Sequence, residues 1–153
     1  MQVNGKVGVL IADDHPDVAN ALTALLLAQS DFAPLGAVAT ARDLLEAVEA
    51  THPDIVMVDW ELPGLDPRQA VAALRKSGKG PQIVAMSAFL LAARAALAAG
   101  ADVFISKTDP PDSVLAILRR LRGGPPPADS ATPGERPNGA RPTFPRRPGQ
   151  VNT

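Results

Sequence analysis

The sequence contains no cysteine and no tyrosine, and its aromatic side chains are four phenylalanines and one tryptophan. Without thiols there is neither a disulfide framework nor a thiolate metal site, which suits a reducing compartment. Charge of one sign is lacking as well. The net charge is -1 and the pI about 6.1, so no basic field points to nucleic acid or an anionic membrane. No apolar run approaches the roughly 20 residues needed to cross a bilayer, and residues 1–6 lead into a strand-like run without a signal-peptide core. These absences predict a soluble, cytoplasmic protein with no membrane association. At 153 residues one ordinary domain is expected.

Proline is abundant but unevenly placed. Residues 123–153 hold eight of the sixteen prolines, and their only large apolar side chains are Phe144 and Val151. Such a segment cannot bury enough apolar surface to offset the entropy of ordering, so a disordered tail with some polyproline II character is expected there. Four arginines against Asp129 and Glu135 give the tail +2 and leave the body, residues 1–122, at -3. The Arg136, Arg141 and Arg146-Arg147 series could weakly contact acidic partners or nucleic acid, and "RPTFPRRP" could suit a polyproline-binding groove, but a solvated linker or degenerate remnant is the simpler expectation.

The body alternates short apolar runs with segments of helical period, the pattern of an α/β protein with a parallel sheet. Strands are expected at Val7–Ala12, Pro34–Val38, Ile55–Val58, Gln82–Met86 and Val103–Ser106, each apolar enough to be covered on both faces. Helices are expected at Pro16–Ala28, Ala41–Ala50, Pro67–Ser77, Phe89–Ala99 and Pro111–Arg122. Gly100 stands where a left-handed C-cap is wanted, and Pro111 where a first-turn proline is tolerated.

In an open parallel sheet, ligands bind outside the carboxyl ends of the strands. Here the first strand ends on Asp13-Asp14, the third on Asp59, the fourth on Ser87 and the fifth on Lys107. Three converging carboxylates repel one another unless a cation sits among them, and Mg²⁺, which prefers oxygen ligands and retains waters, is the natural choice. Asp14 and Asp59 would be direct ligands and Asp13 would bind through water. A metal bridging carboxylate and phosphate makes phosphoryl transfer to Asp59 plausible, with Lys107 and Ser87 holding the remaining phosphate oxygens. Taken singly, each residue has a plain explanation: Asp13 and Asp14 as turn or cap residues, Ser87 as a cap, Lys107 as a surface charge. Independent surface residues have no reason to fall together at the strand ends of one alternating pattern.

At these residues, "LIADDHP", "VMVDWELPGLD", "IVAMSA" and "AAGADVFISK", the sequence resembles the receiver domain of two-component response regulators, over roughly residues 6–122. "DDHP" and "AILRRLRGG" are most similar to receivers of the helix-turn-helix (LuxR-type) branch, although no DNA-reading helix can be placed in the tail. The resemblance implies a doubly wound, flavodoxin-like sheet of five strands in the order 2-1-3-4-5 with five helices. It implies that a histidine kinase or a histidine phosphotransfer protein donates to the phosphoacceptor Asp59, and that the metal site includes the backbone carbonyl of Glu61. It further implies that Ser87 and Phe104 switch on phosphorylation, reshaping a partner surface on the fourth helix, fifth strand and fifth helix, where Leu90, Leu91 and Arg94 could lie. A homodimer is compatible with this. Catalysis beyond self-phosphorylation and autodephosphorylation is not expected.

Three departures from the family pattern matter. Thr108 follows Lys107 where proline is common, and Pro67 follows Asp66 where glycine is common. Glu61 and Phe89 occupy the positions that tune phosphoryl lifetime: a carboxylate at 61 should repel anionic donors, and a phenyl ring at 89 could hinder attacking water. His15 is expected to cap the first helix and His52 to sit in the turn before the third strand. Without cysteine or close histidine spacing, a zinc site has little support. Alternative readings are a receiver-like binding module without phosphorylation, a transcriptional regulator lacking its DNA-binding output, and a haloacid-dehalogenase-type phosphatase. The last places its nucleophile in a DxD motif after the first strand, which "ADDHP" does not match.

Overall fold

The computed structural model describes residues 5–76 and 80–122. The proline-rich tail expected at 123–153 lies outside the described residues. Among the described residues five strands and five helices alternate: β1 Val7–Ala12, α1 Pro16–Leu27, β2 Phe32–Val38, α2 Ala41–Thr51, β3 Ile55–Asp59, α3 Pro67–Arg75, β4 Gln82–Ser87, α4 Ala92–Ala99, β5 Val103–Ser106 and α5 Pro111–Leu121. All strand pairs are parallel, in the order β2-β1-β3-β4-β5. This is the parallel α/β sheet that the alternating sequence predicts, in the doubly wound, flavodoxin-like order that the family resemblance implies.

Side chains alternate across each strand, which splits the core into two layers. Val9, Ile11, Ile55, Met57, Val84, Met86 and Ile105 face α1 and α5, where Leu26, Val114, Leu115 and Leu118 meet them. Leu10, Ala12, Val56, Val58, Ile83 and Ala85 face α2, α3 and α4, contributing Leu44, Val71, Leu74 and Ala96. Because both faces are covered, the strands read as continuous apolar runs in sequence. Full burial of one such Leu or Ile side chain contributes roughly 1.5–3 kcal/mol.

Several boundaries differ from expectation for identifiable reasons. β2 begins at Phe32, two residues earlier than expected, because it is an edge strand and tolerates Pro34 within it. A bulge between Val9 and Leu10 in the β1–β2 register leaves Leu35 unpaired. α4 starts at Ala92 rather than Phe89; Phe89-Leu90-Leu91 form turns, with Ala92 N–H on the Phe89 carbonyl (3.0 Å) and Ala93 N–H on that of Leu90 (3.1 Å). Leu90 and Leu91 are therefore exposed rather than core, as is Phe89. Gly100 caps α4 at φ 109, the left-handed conformation expected of it. Asp66 accepts N–H bonds from Arg68 and Gln69, so α3 starts on a side-chain cap followed by Pro67, and the missing glycine does not disturb it. Among the described residues no helix is long and apolar enough to cross a membrane.

Candidate functional site

Strand order reverses between β1 and β3, and the carboxyl ends of these strands frame a crevice. Backbone bonds fix each functional side chain at its rim. Asp13 N–H donates to Val38 O (2.9 Å), Trp60 N–H to Met86 O (2.8 Å) and Lys107 N–H to Ser87 O (2.9 Å). These three contacts continue the sheet one residue beyond its apolar run, so the polar side chains stand on a rigid edge. Asp59 is the last residue of β3, one residue further than expected, and its side chain is fully buried. Glu61 N–H donates to Asp59 Oδ1 (3.0 Å) and orients the carboxylate.

Lys107 is the cation of the crevice. Its Nζ lies 2.8 Å from Asp13 Oδ2 and 3.0 Å from Asp59 Oδ2, while both carboxylates have no solvent exposure. Burial opposes the charge on Lys107, but Asp13 and Asp59 more than compensate and raise its pKa. Burial likewise pushes the Asp59 carboxyl up, yet the Glu61 N–H and the Lys107 ammonium outweigh it and hold Asp59 below its ordinary value. Asp59 is thus kept as a carboxylate, the form a nucleophile or metal ligand requires. Glu61 moves the other way: burial and the neighbouring Asp59 charge raise its pKa.

Two residues contribute in ways their sequence positions did not suggest. His15 occupies the N-cap position of α1 but makes no side-chain cap, contrary to expectation. Its Nδ1 instead lies 2.9 Å from Asp13 Oδ1, 3.3 Å from Asp14 Oδ1 and 3.5 Å from Asp59 Oδ2. The bond to Asp13, with the Asp14 charge behind it, raises the imidazole pKa. The "DDH" run folds into a tight turn, with the His15 N–H also on Asp13 Oδ1 (2.9 Å), and that turn swings the ring inward. The second is the Glu61 side chain, which accepts the Ser87 hydroxyl at 2.6 Å. Neither contact has a sequence signature beyond a polar residue beside a site residue. His52, by contrast, is a left-handed C-cap of α2 at φ 46 and takes no part in the crevice cluster.

Asp13, Asp14, His15 and Asp59 each present a ligand atom, all within 4.8 Å of one another. Asp13 Oδ2 and Asp59 Oδ2 are buried, and among the described residues only the Lys107 ammonium (2.8 and 3.0 Å) and, for Asp59, the His15 ring (3.5 Å) stand against them. Buried carboxylate oxygens left so incompletely satisfied fit a hard divalent cation, and the oxygen-rich set suits Mg²⁺. Among the remaining expected residues, Ser87 is buried at the end of β4 and accepts the Phe89 N–H at 2.9 Å. Phe104 on β5 is half-buried against the layer formed with α2, α3 and α4. Phe89 projects into solvent and Thr108 turns its hydroxyl to Ser106 (2.8 Å), tying the loop that a proline would otherwise have shaped.

The response regulator receiver domain matches residues 9–119. Among curated proteins, the transcriptional activator protein ExaE of Pseudomonas putida is 30% identical over 120 residues, covering 77% of this chain and 56% of that protein. The chain spans about half the length of the curated relatives it matches. Among solved structures, the signal receiver domain of NarL from Mycobacterium tuberculosis superimposes with a TM-score of 0.70 at 28% identity, covering 78% of this chain and 98% of that one. The BeF3-activated N-terminal receiver domain of Klebsiella pneumoniae RstA superimposes with a TM-score of 0.66 at 30% identity, covering 75% and 98%. Its fold, its acidic crevice and a match over most of its described length agree: the chain belongs to the response regulator receiver domain family, the signalling module of two-component systems.

Proposed function

We propose that the chain is a phosphoacceptor in a two-component phosphorelay, taking a phosphoryl group on Asp59 from a histidine kinase or a histidine phosphotransfer protein. The observation that carries this reading is the state of Asp59: fully buried, yet held as a carboxylate by the Lys107 ammonium and the Glu61 N–H. A buried carboxylate held by these contacts, with the His15 ring 3.5 Å away, is poised to react. In the transfer, the N–P bond of phosphohistidine breaks, an Asp59 O–P bond forms, and the imidazole leaves with the bonding pair. Asp14, Asp59 and the Glu61 carbonyl would hold Mg²⁺ directly and Asp13 through water. When bound, the metal neutralises charge on the transferring oxygens. Lys107 pairs with a phosphoryl oxygen, and Ser87 donates to another. Water completes the cycle by hydrolysing the acyl phosphate, at a rate that Glu61 and Phe89 modulate. In this reading the chain catalyses only its self-phosphorylation and autodephosphorylation.

The output is a protein contact. Ser87, Phe89 and α4 are joined by the β4–α4 turn, so displacement of the Ser87 hydroxyl moves the exposed Phe89-Leu90-Leu91 segment, while Phe104 turns inward. A downstream protein or a second copy of the chain would read α4, β5 and α5. DNA contact by these residues has no support, nor has membrane association, and a cytoplasmic location suits the relay. In this reading residues 1–122 are the receiver, and 123–153 are a linker or tail.

The test is direct phosphorylation. Incubation with Mg²⁺ and a phosphorylated histidine phosphotransfer domain should add one phosphoryl group by intact mass, and Asp59→Asn should abolish it. A wild-type protein that takes up nothing from several such donors would refute the reading. Acetyl phosphate should label the protein slowly, because the Glu61 carboxylate repels a small anion; rapid labelling would refute that part.

A further inference from the structure

The Ser87 hydroxyl has a single proton, and in this structure that proton is already committed. Ser87 Oγ donates to Glu61 Oε1 at 2.6 Å, a charge-assisted distance, and accepts the Phe89 N–H at 2.9 Å. Ser87 is buried, and Glu61 reaches it across the crevice from the β3–α3 loop. A carboxylate oxygen on this hydroxyl occupies the position that a phosphoryl oxygen on Asp59 would need, since one O–H cannot serve two acceptors at full strength.

We propose that Glu61 is a positioning residue that holds Ser87 in the unphosphorylated state, its carboxylate standing in for the phosphoryl group, so that loading of Asp59 requires Glu61 to leave. This rests on the phosphoacceptor reading above and adds to it a regulatory contact. Three chemical facts support the exchange. Both acceptors are anionic oxygens, so the hydroxyl meets the same kind of partner before and after. Two anionic oxygens crowding one hydroxyl repel each other at close range, so arrival of the phosphoryl group drives the Glu61 carboxylate away from Ser87. Glu61 lies at the solvent-facing side of the loop, so its side chain can swing out without disturbing the core.

The proposal separates from simple charge repulsion by a double-mutant cycle. The protein with Mg²⁺ is titrated with beryllofluoride, following the fluorescence of Trp60, the only tryptophan and the neighbour of Asp59. Glu61→Ala should tighten binding about tenfold, the worth of one charge-assisted hydrogen bond released from competition. Glu61→Gln, which keeps an acceptor oxygen without the charge, should fall between. In a Ser87→Ala background the gain from Glu61→Ala should shrink to about twofold or less, and Ser87→Thr, which restores a hydroxyl, should recover it. The coupling should survive added salt, which screens long-range repulsion but not a direct bond. An equal gain from Glu61→Ala with and without the Ser87 hydroxyl overturns the proposal while leaving the phosphoacceptor reading intact. A wild-type protein with no beryllofluoride response, or an Asp59→Asn variant that responds equally, overturns both.

Discussion

Replacing Lys107 with methionine keeps most of the stem's volume and removes the ammonium that faces both buried carboxylates. Its Nζ is 2.8 Å from Asp13 and 3.0 Å from Asp59, and neither carboxylate reaches solvent. At an effective dielectric of about 20, each contact carries a gross attraction of roughly 5–6 kcal/mol, most of it offset by desolvation of the ammonium. Breaking a buried pair of this kind costs about 3–5 kcal/mol, because the partner charges stay buried. Proton uptake caps the loss. A carboxylate can escape by protonating at about 1.4 kcal/mol per pH unit above its ordinary range, which limits the cost at pH 7 to about 4 kcal/mol. We expect Lys107→Met to lose about 3 kcal/mol in EDTA at pH 7, a fall in Tm of about 12 °C for a domain of this size. Two conditions should shrink that loss. Lowering the pH to 5 should do so, because the escape by protonation becomes cheaper. Saturating Mg²⁺ should as well, because the added cation replaces the missing one. Urea denaturation with EDTA or Mg²⁺, at both pH values, measures all four stabilities. An identical loss in EDTA and Mg²⁺ would refute the view that lysine and metal serve the same carboxylates.

Three further outcomes follow from contacts elsewhere. Asp31 accepts from Arg119 Nε at 2.9 Å and Arg122 Nη1 at 3.1 Å, and Arg119 covers the Phe32 ring at 5.8 Å; the Arg119 bond holds the Asp31 carboxyl below its ordinary value. Its stabilisation is therefore present above the ordinary carboxylate range and lost as pH falls through the depressed folded value. Asp31→Asn should cost about 1 kcal/mol at pH 7, discounted for exposed arginines, and converge with wild type in acid melts. Gly100→Ala should cost about 1–2 kcal/mol in urea titrations, since φ is 109 and the new Cβ would lie 3.0 Å from Val71 Cγ1. Asp66→Ala should lose about 1 kcal/mol by the same measurement, the worth of the α3 N-cap, with no effect on beryllofluoride affinity.

The fold was readable because both sheet faces are covered. Ile55, Val56, Met57 and Val58 form an uninterrupted apolar run only because helices lie above and below, and that run points to a central parallel strand. Edge behaviour was less readable: Pro34 suggests a strand start, whereas position at the sheet edge lets the strand pass through it. At the site, Asp13, Asp14, Asp59, Ser87 and Lys107 were legible because strand ends are fixed by the hydrophobic pattern. The His15 contacts and the Glu61–Ser87 bond were not, because they depend on which way a side chain leaves a turn. Phe89-Leu90-Leu91 misled for a related reason. Three apolar residues before an alanine-rich segment read as a helix face, but the Ser87 hydroxyl takes the Phe89 N–H, and the helix begins after them.

The proposed function rests on transfer of a phosphoryl group to Asp59. Its most direct measurement is intact-mass analysis, followed by peptide mapping, after incubation with Mg²⁺ and a phosphorylated histidine phosphotransfer domain. One phosphoryl group is expected, located on the peptide containing Asp59, absent in EDTA and absent in Asp59→Asn. A phosphoryl group retained in Asp59→Asn, or none taken up by the wild type, would contradict it.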